Sequence, residues 1–211
     1  MLEELSTELK KRGAQMIRTL DISALPRENR RGLDYAIIYS IPLQECNWPA
    51  FHRAEMEGEL LAKWLVQELI SHGYEAFPHT LENVYDRNAL RSPLPNKTLA
   101  VLAGLGWVGK NALFTSKEYG SAASLAAVLT NAVLPAQNMP PLASPCEDCT
   151  VCRDICAPGA LQGLLWSPGI PREQLLDAHK CTQCFLCLSQ CPWTQRYHER
   201  CRPEKAATDY V

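Results

Sequence analysis

CEDCTVCRDIC, residues 146–156, and CTQCFLCLSQCP, residues 181–192, are two copies of one pattern. The first places thiols at Cys146, Cys149, Cys152 and Cys156; the second places them at Cys181, Cys184, Cys187 and Cys191. Each follows C-x2-C-x2-C-x3-C, and Pro192 follows the last thiol. This is a spacing that binds [4Fe–4S] clusters. Three closely spaced thiolates cap three corners of a cubane. The x3 step carries the fourth cysteine into the next element, where it serves the other cluster. The reading is therefore crossed: Cys146, Cys149, Cys152 and Cys191 for the first cluster, and Cys181, Cys184, Cys187 and Cys156 for the second.

Two plainer readings compete. Paired zinc ribbons also use C-x2-C twice, but four ligands satisfy a structural zinc and the regular spacing of the remaining cysteines would go unexplained. A disulfide framework belongs to small secreted chains, and the start Met-Leu-Glu-Glu has no signal-peptide pattern. Cys46 and Cys201 fall outside the repeat and read as unliganded thiols. Ten cysteines without a leader fit a reducing cytoplasm. The net charge of −2 exerts no strong pull on nucleic acid or anionic membrane. No apolar run approaches the ~18 residues of a spanning helix. The 211 residues make one large or two small domains.

Working outward, residues 135–145 hold Pro135, Pro140, Pro141 and Pro145 and read as a linker. This divides the chain into residues 1–140 and residues 141–211. In the first part, Leu2, Leu5 and Leu9 predict a short helix over 1–12, and residues 14–20 predict a strand. YAIIYSI, residues 35–41, reads as a buried strand and residues 42–50 as a loop. The longest helical pattern runs from Phe51 to Ser71, with His72-Gly73 as its stop. A short strand is expected at Tyr74–Phe77, ending before Pro78. His72 and His79 read as cap or surface residues. Residues 80–96 read as a loop carrying Tyr85, Asp86 and Arg91, weak catalytic candidates because loops often host site residues. A helix follows at Lys97–Gly104, then strands near Ala112–Thr115 and within residues 121–134. In the second part, a helix start is expected after Cys156 at Pro158, a short helix near Arg172–Ala178, and a helical, mildly basic tail beyond Trp193 that ends in disorder.

Gly104, Gly106 and Gly109 spell G-x-G-x-x-G, and Gly109-Lys110 nearly closes a P-loop. Position 111 is Asn, where a P-loop needs Ser or Thr for magnesium. A dinucleotide site needs a preceding strand and an acid about 20 residues on, and residues 119–146 contain no Asp or Glu. What is left is a tight turn at which glycine lets the backbone approach something bulky.

PLPNKTLAVLAGLGWVGKNALF, residues 92–114 less the leading serine, together with YGSAASLAAVLTNAVL, the first cysteine run, LDAHKC and CPWTQRY, resembles epoxyqueuosine reductase and, more distantly, the corrinoid-dependent reductive dehalogenases. The similarity spans about residues 92–193. It implies an α+β architecture: a nitroreductase-like α/β domain followed by a bacterial ferredoxin-like domain with two [4Fe–4S] clusters. It implies cobalamin as the second cofactor, with flavin the less favoured choice, and places Gly106, Trp107, Gly109 and Lys110 beside it. It implies electron entry from a donor such as a flavodoxin or ferredoxin. Leu90 stands where the family has its catalytic aspartate, and leucine has no proton to donate. The expected function is thus an iron–sulfur oxidoreductase acting on an unknown small substrate or partner enzyme, related to epoxyqueuosine reductase but not performing that reaction. The alternative is a ferredoxin-type electron carrier or redox subunit. Neither nucleic acid nor membrane is expected as a partner.

Overall fold

A computed structural model describes residues 2–201. The architecture is mixed α+β. Its centre is a four-stranded antiparallel sheet in the order β1-β2-β6-β3, built from Gln15–Asp21, Tyr35–Pro42, Ala123–Thr130 and Ala76–His79. The continuous apolar run of β2 has a direct cause. Ile37, Tyr39 and Ile41 pack on one face with Leu61, Leu65 and Leu69, whereas Ala36 and Ile38 pack on the other with Leu99, Ala100 and Val101. A strand covered on both sides has no polar face to alternate with.

The first face is covered by α1, Leu2–Lys11, and α2, Trp48–Ser71. Helix α2 begins three residues before the expected Phe51, inside the segment read as loop. Asn47 accepts a hydrogen bond from Ala50 N at 2.9 Å and caps the helix, and Pro49 sits in the first turn where its missing N–H costs nothing. The second face is covered by α4, Asn96–Leu102, which follows the single turn α3, Leu81–Val84. Strand β3 runs through Pro78, past the expected stop. It is an edge strand paired only with β6, so proline's missing donor faces outward. His79 is buried rather than at the surface. Its Nε2–H donates to Leu94 O at 2.7 Å.

The two-stranded unit β4, Trp107–Val108, and β5, Phe114–Thr115, follows α4. The strand expected from Ala112 starts two residues late. Ala112 takes a left-handed φ of 58° and closes a turn through its N–H to Gly109 O at 2.9 Å.

The proline-rich segment has no regular structure but is pinned along β1. Gln137 N donates to Thr19 O at 2.9 Å, Asp21 N donates to Asn138 Oδ1 at 2.9 Å, and Met139 N donates to Leu102 O at 2.7 Å. It covers the outer edge of the sheet, which would otherwise present open ladder groups.

The cysteine half is built of short pieces: α5 at Val151–Asp154, a 3-10 turn at Arg172–Gln174, α6 at Leu186–Ser189 and α7 at Pro192–Cys201. No helix forms after Cys156. Leu161 instead bridges Leu176, with Gln162 N donating to Leu175 O at 3.0 Å and Asp177 N to Ala160 O at 2.9 Å. The same pairing cuts the helix expected at Arg172–Ala178 to one 3-10 turn. Helix α7 matches the expected helical tail, and the expected disorder beyond it falls outside the described residues.

Helix α7 docks on the first half through Gly120. Ser121 N donates to Thr194 Oγ1 at 3.0 Å, and Tyr119 meets Tyr197 edge-on at 5.1 Å. Gly120 has φ +56°, and an added Cβ would come within 2.5 Å of Trp193 C and Thr194 Cα. Gly120→Ala combines a left-handed penalty with a backbone clash, so a loss of about 3 kcal/mol or more is expected. Urea unfolding of the purified variant checks it.

Candidate metal centre

The two loops that carry the cysteines fold back on each other. Cys146, Cys149, Cys152 and Cys191 line one cavity of about 220 Å3, together with Lys110, Asn111, Thr115, Trp193 and Arg196. Cys191 comes from the second run and reaches this cavity because it immediately precedes α7. Burial pushes the Cys152 thiol up to about 11, and the neighbouring Cys146, Cys149 and Cys191 add to the effect. Burial likewise pushes Cys187 up to about 12, with contributions from Cys181, Cys152, Cys184 and Cys156. The cavity thus gathers Cys146, Cys149 and Cys152 of the first run with Cys191, the last cysteine of the second. Cys152 and Cys187 are neighbours across the two runs. Both pack with Ala112, Leu161 and Leu175.

All ten cysteines are free thiols. Among the described residues, no three His, Cys, Asp or Glu side chains form a group that could hold a single metal ion. Cys181 and Cys184 are exposed, and Cys152 is buried. Glu147, Gln183 and Phe185 take positive φ values of 33°, 53° and 62°, and each lies between cysteines of the repeat. Such backbone conformations persist where the surroundings over-determine them, as ligand loops do. Cys46, outside the repeat, sits 3.4 Å from His198 Nε2, and burial first, then Cys191, raises it to about 11.

The glycine turn meets protein rather than an open face. A Cβ on Gly109 would lie 2.6 Å from Asn111 Oδ1 and 2.8 Å from Thr115 Oγ1, and one on Gly106 would lie 2.9 Å from Phe114 Cε2. Trp107 is buried and meets Trp193 edge-on at 5.0 Å. Lys110 Nζ donates to the carbonyls of Glu147 and Cys149, the latter at 3.2 Å. The close approach that the glycines permit is therefore to β5 and to the turn itself. Gly109 and Lys110 also line the thiol cavity, and Gly106 and Trp107 do not.

Tyr85, Asp86 and Arg91 are brought together with no thiol. Asp86 accepts hydrogen bonds from Asn88 N and Ala89 N at 2.8 and 3.0 Å, and the Ala89 and Asn88 amides hold its carboxyl below the usual range. It pairs with Arg91 through backbone hydrogen bonds, and Arg91 reaches Glu173 at 4.0 Å. Asp86 is the brace of its own loop. Sequence reasoning missed Arg172, which donates to Leu90 O, and Asn111, which donates to Cys187 O at 3.4 Å. The near-miss to a P-loop drew attention to Lys110 for another reason, and nothing in the spacing foretold its carbonyl partners.

No protein-family model matches the chain. An epoxyqueuosine reductase from Synechocystis sp. is 30% identical over 130 residues, which cover 50% of this chain and 41% of that protein. One from Bacillus anthracis is 27% identical over 183 residues, 74% of this chain and 47% of its own length. The chain is similar to epoxyqueuosine reductases over half to three quarters of its length. A solved epoxyqueuosine reductase shares the fold at TM-score 0.64 with 17% identity, over 92% of this chain and 65% of that one. A reductive dehalogenase, described with a mechanism for B12-dependent dehalogenation, does so at TM-score 0.67 with 19% identity, over 92% and 31%. The chain spans under half the length of these two curated relatives. One structural neighbour is an epoxyqueuosine reductase with an epoxyqueuosine-modified tRNA stem loop, which runs against the expectation that nucleic acid has no place among the partners. Among the described residues no helix is long and apolar enough to cross a membrane.

One buried cation near the centre is legible by titration. Lys97 Nζ donates to Ala112 O at 2.8 Å, and burial first, then Arg172, lowers its pKa to about 8. Its folded value lies below that of the unfolded chain. The fold therefore carries the full penalty below about pH 8 and sheds it as pH rises toward the ordinary lysine range. Between pH 8 and 10 the stability of the apoprotein is expected to rise by about 2–3 kcal/mol relative to Lys97→Met. Urea titrations of both proteins across that range check it.

Proposed function

We propose that this chain is an iron–sulfur oxidoreductase that takes electrons from a small donor protein, such as a flavodoxin or ferredoxin, and delivers them to an acceptor held by residues 1–140. Bound between the cysteine loops, two [4Fe–4S] clusters would supply one-electron carriers at close range. Cys146, Cys149, Cys152 and Cys191 hold the first; Cys181, Cys184, Cys187 and Cys156 hold the second. What carries the reading is the cavity that gathers three thiols of one run with the last thiol of the other. Residues 141–211 are ferredoxin-like in this reading, and residues 1–140 correspond to the nitroreductase-like part. A reducing compartment such as the cytoplasm keeps such thiols available.

The chain's own residues set the terms of transfer. Cys149, Cys181 and Cys184 are exposed, so each group of thiols reaches the surface, where a donor docks. The buried Cys152 and half-buried Cys187 put the contact between groups in a low-dielectric core with Leu161 and Leu175. A second reading, an electron carrier or redox subunit, is favoured by Leu90 and by Asp86 being spent on its own loop.

Anaerobic purification followed by iron, sulfide, cobalt and flavin analysis is expected to give about eight iron atoms per chain, two cubanes' worth. Zinc in place of iron would overturn the proposal. Cobalt or flavin in stoichiometric amount would favour the enzyme, and neither would favour the carrier. Cys191→Ala is expected to lose the first cluster and keep the second, although its sequence neighbours belong to the second. EPR of the reduced variant distinguishes the two.

A further inference from the structure

The turn at residues 109–112 touches both cysteine loops. Lys110 Nζ donates to Glu147 O and to Cys149 O at 3.2 Å, both in the first loop. Asn111 Nδ2 donates to Cys187 O at 3.4 Å in the second loop and to Ser121 Oγ at 2.9 Å in the first half. Asn111 is 5% exposed, and its Oδ1 accepts from Leu113 N at 3.2 Å, so the side chain has a single fixed pose. The turn is closed by Ala112 N to Gly109 O and backed by Lys97 on Ala112 O. Ala112 itself packs with Cys152 and Leu161.

We infer that this turn is the clamp that registers the two cysteine loops against each other, Lys110 holding the first and Asn111 the second. The inference rests on the two-cluster reading and gives Lys110 a task the glycine motif did not suggest. The loops need such a clamp. Helices α5 and α6 are four residues each, too short to hold themselves in water. The ligand sets cross between them, so an error in their relative position would spoil both sites. A lysine ammonium is suited to the first contact because it can donate to two carbonyls at once. It also lines the thiol cavity with Arg196, where positive charge favours added negative charge on reduction.

Lys110→Met, Lys110→Arg and Asn111→Ala, compared with the unaltered chain, test this. The iron and sulfide content of the unaltered protein judges the two-cluster reading by itself. If that holds, Lys110→Met is expected to lose up to about half the iron, or to retain it with the first cluster's midpoint potential lowered and the second's unchanged. Lys110→Arg is expected to restore the potential. Asn111→Ala is expected to change the magnetic interaction between the reduced clusters in EPR. In the apoproteins, Lys110→Met is expected to speed amide hydrogen exchange at residues 149–153 while leaving β2 and β6 protected, a readout that needs no iron. Full iron with unaltered potentials and unaltered exchange in Lys110→Met would overturn the clamp while leaving the two-cluster reading in place.

Discussion

Gathering thiolates inside a protein is unfavourable without something to bind them. Cys152 and Cys187 are raised to about 11 and 12, first by burial and then by the cysteines around each. As thiolates they would repel; as thiols they are weak hydrogen-bond partners in costly loops. A metal that takes the thiolate form reverses the balance, because binding free energy then becomes folding free energy. In the proposed two-cluster reading, the rest of the chain is the apparatus that keeps these sulfurs in two groups. The covered sheet supplies rigidity, α7 carries Cys191 at its entrance, and the turn at residues 109–112 reaches both loops.

Much of this was written plainly in the sequence. The β2 run YAIIYSI and the α2 pattern are long, apolar and bounded by clear stops, and both formed as expected. The misreadings cluster where a local signal met a tertiary partner. Pro78 reads as a stop, yet an edge strand tolerates it. Pro158 reads as a helix start, yet the chain there pairs Leu161 with Leu176 across 15 residues, which no local window can see. Asn47 and Pro49 were the legible exception, since a capping residue followed by an early proline is a helix start that was passed over for the apolar pattern behind it.

The candidate centre divides in the same way. The cysteines announce themselves because ligand spacing is a local property of the chain. Their environment does not, because it is made by residues whose partners are backbone carbonyls. Lys110 meets Glu147 and Cys149, Asn111 meets Cys187, and Arg172 meets Leu90. A carbonyl has no sequence identity, so such contacts leave no complementary residue to find. Gly106 and Gly109 permit a close approach to Phe114 and Thr115 of β5 and to Asn111 of the turn, contacts that no local spacing announces.

Cys181 and Cys184 are exposed, Cys187 is half-buried, and Cys152 is buried. Passing from the first pair to the last moves from water into the core shared with Ala112, at the foot of the turn that leads to the sheet. Charge is more costly at each step inward unless a cation meets it. Lys110 and Arg196 line the first cavity; Lys110 is held by carbonyls, and Arg196, itself exposed, lies over the Trp193 ring at 4.8 Å. Cys149 of the first group is exposed as well, so the buried contact is the one between the groups, at Cys152 and Cys187, with two cations beside the first.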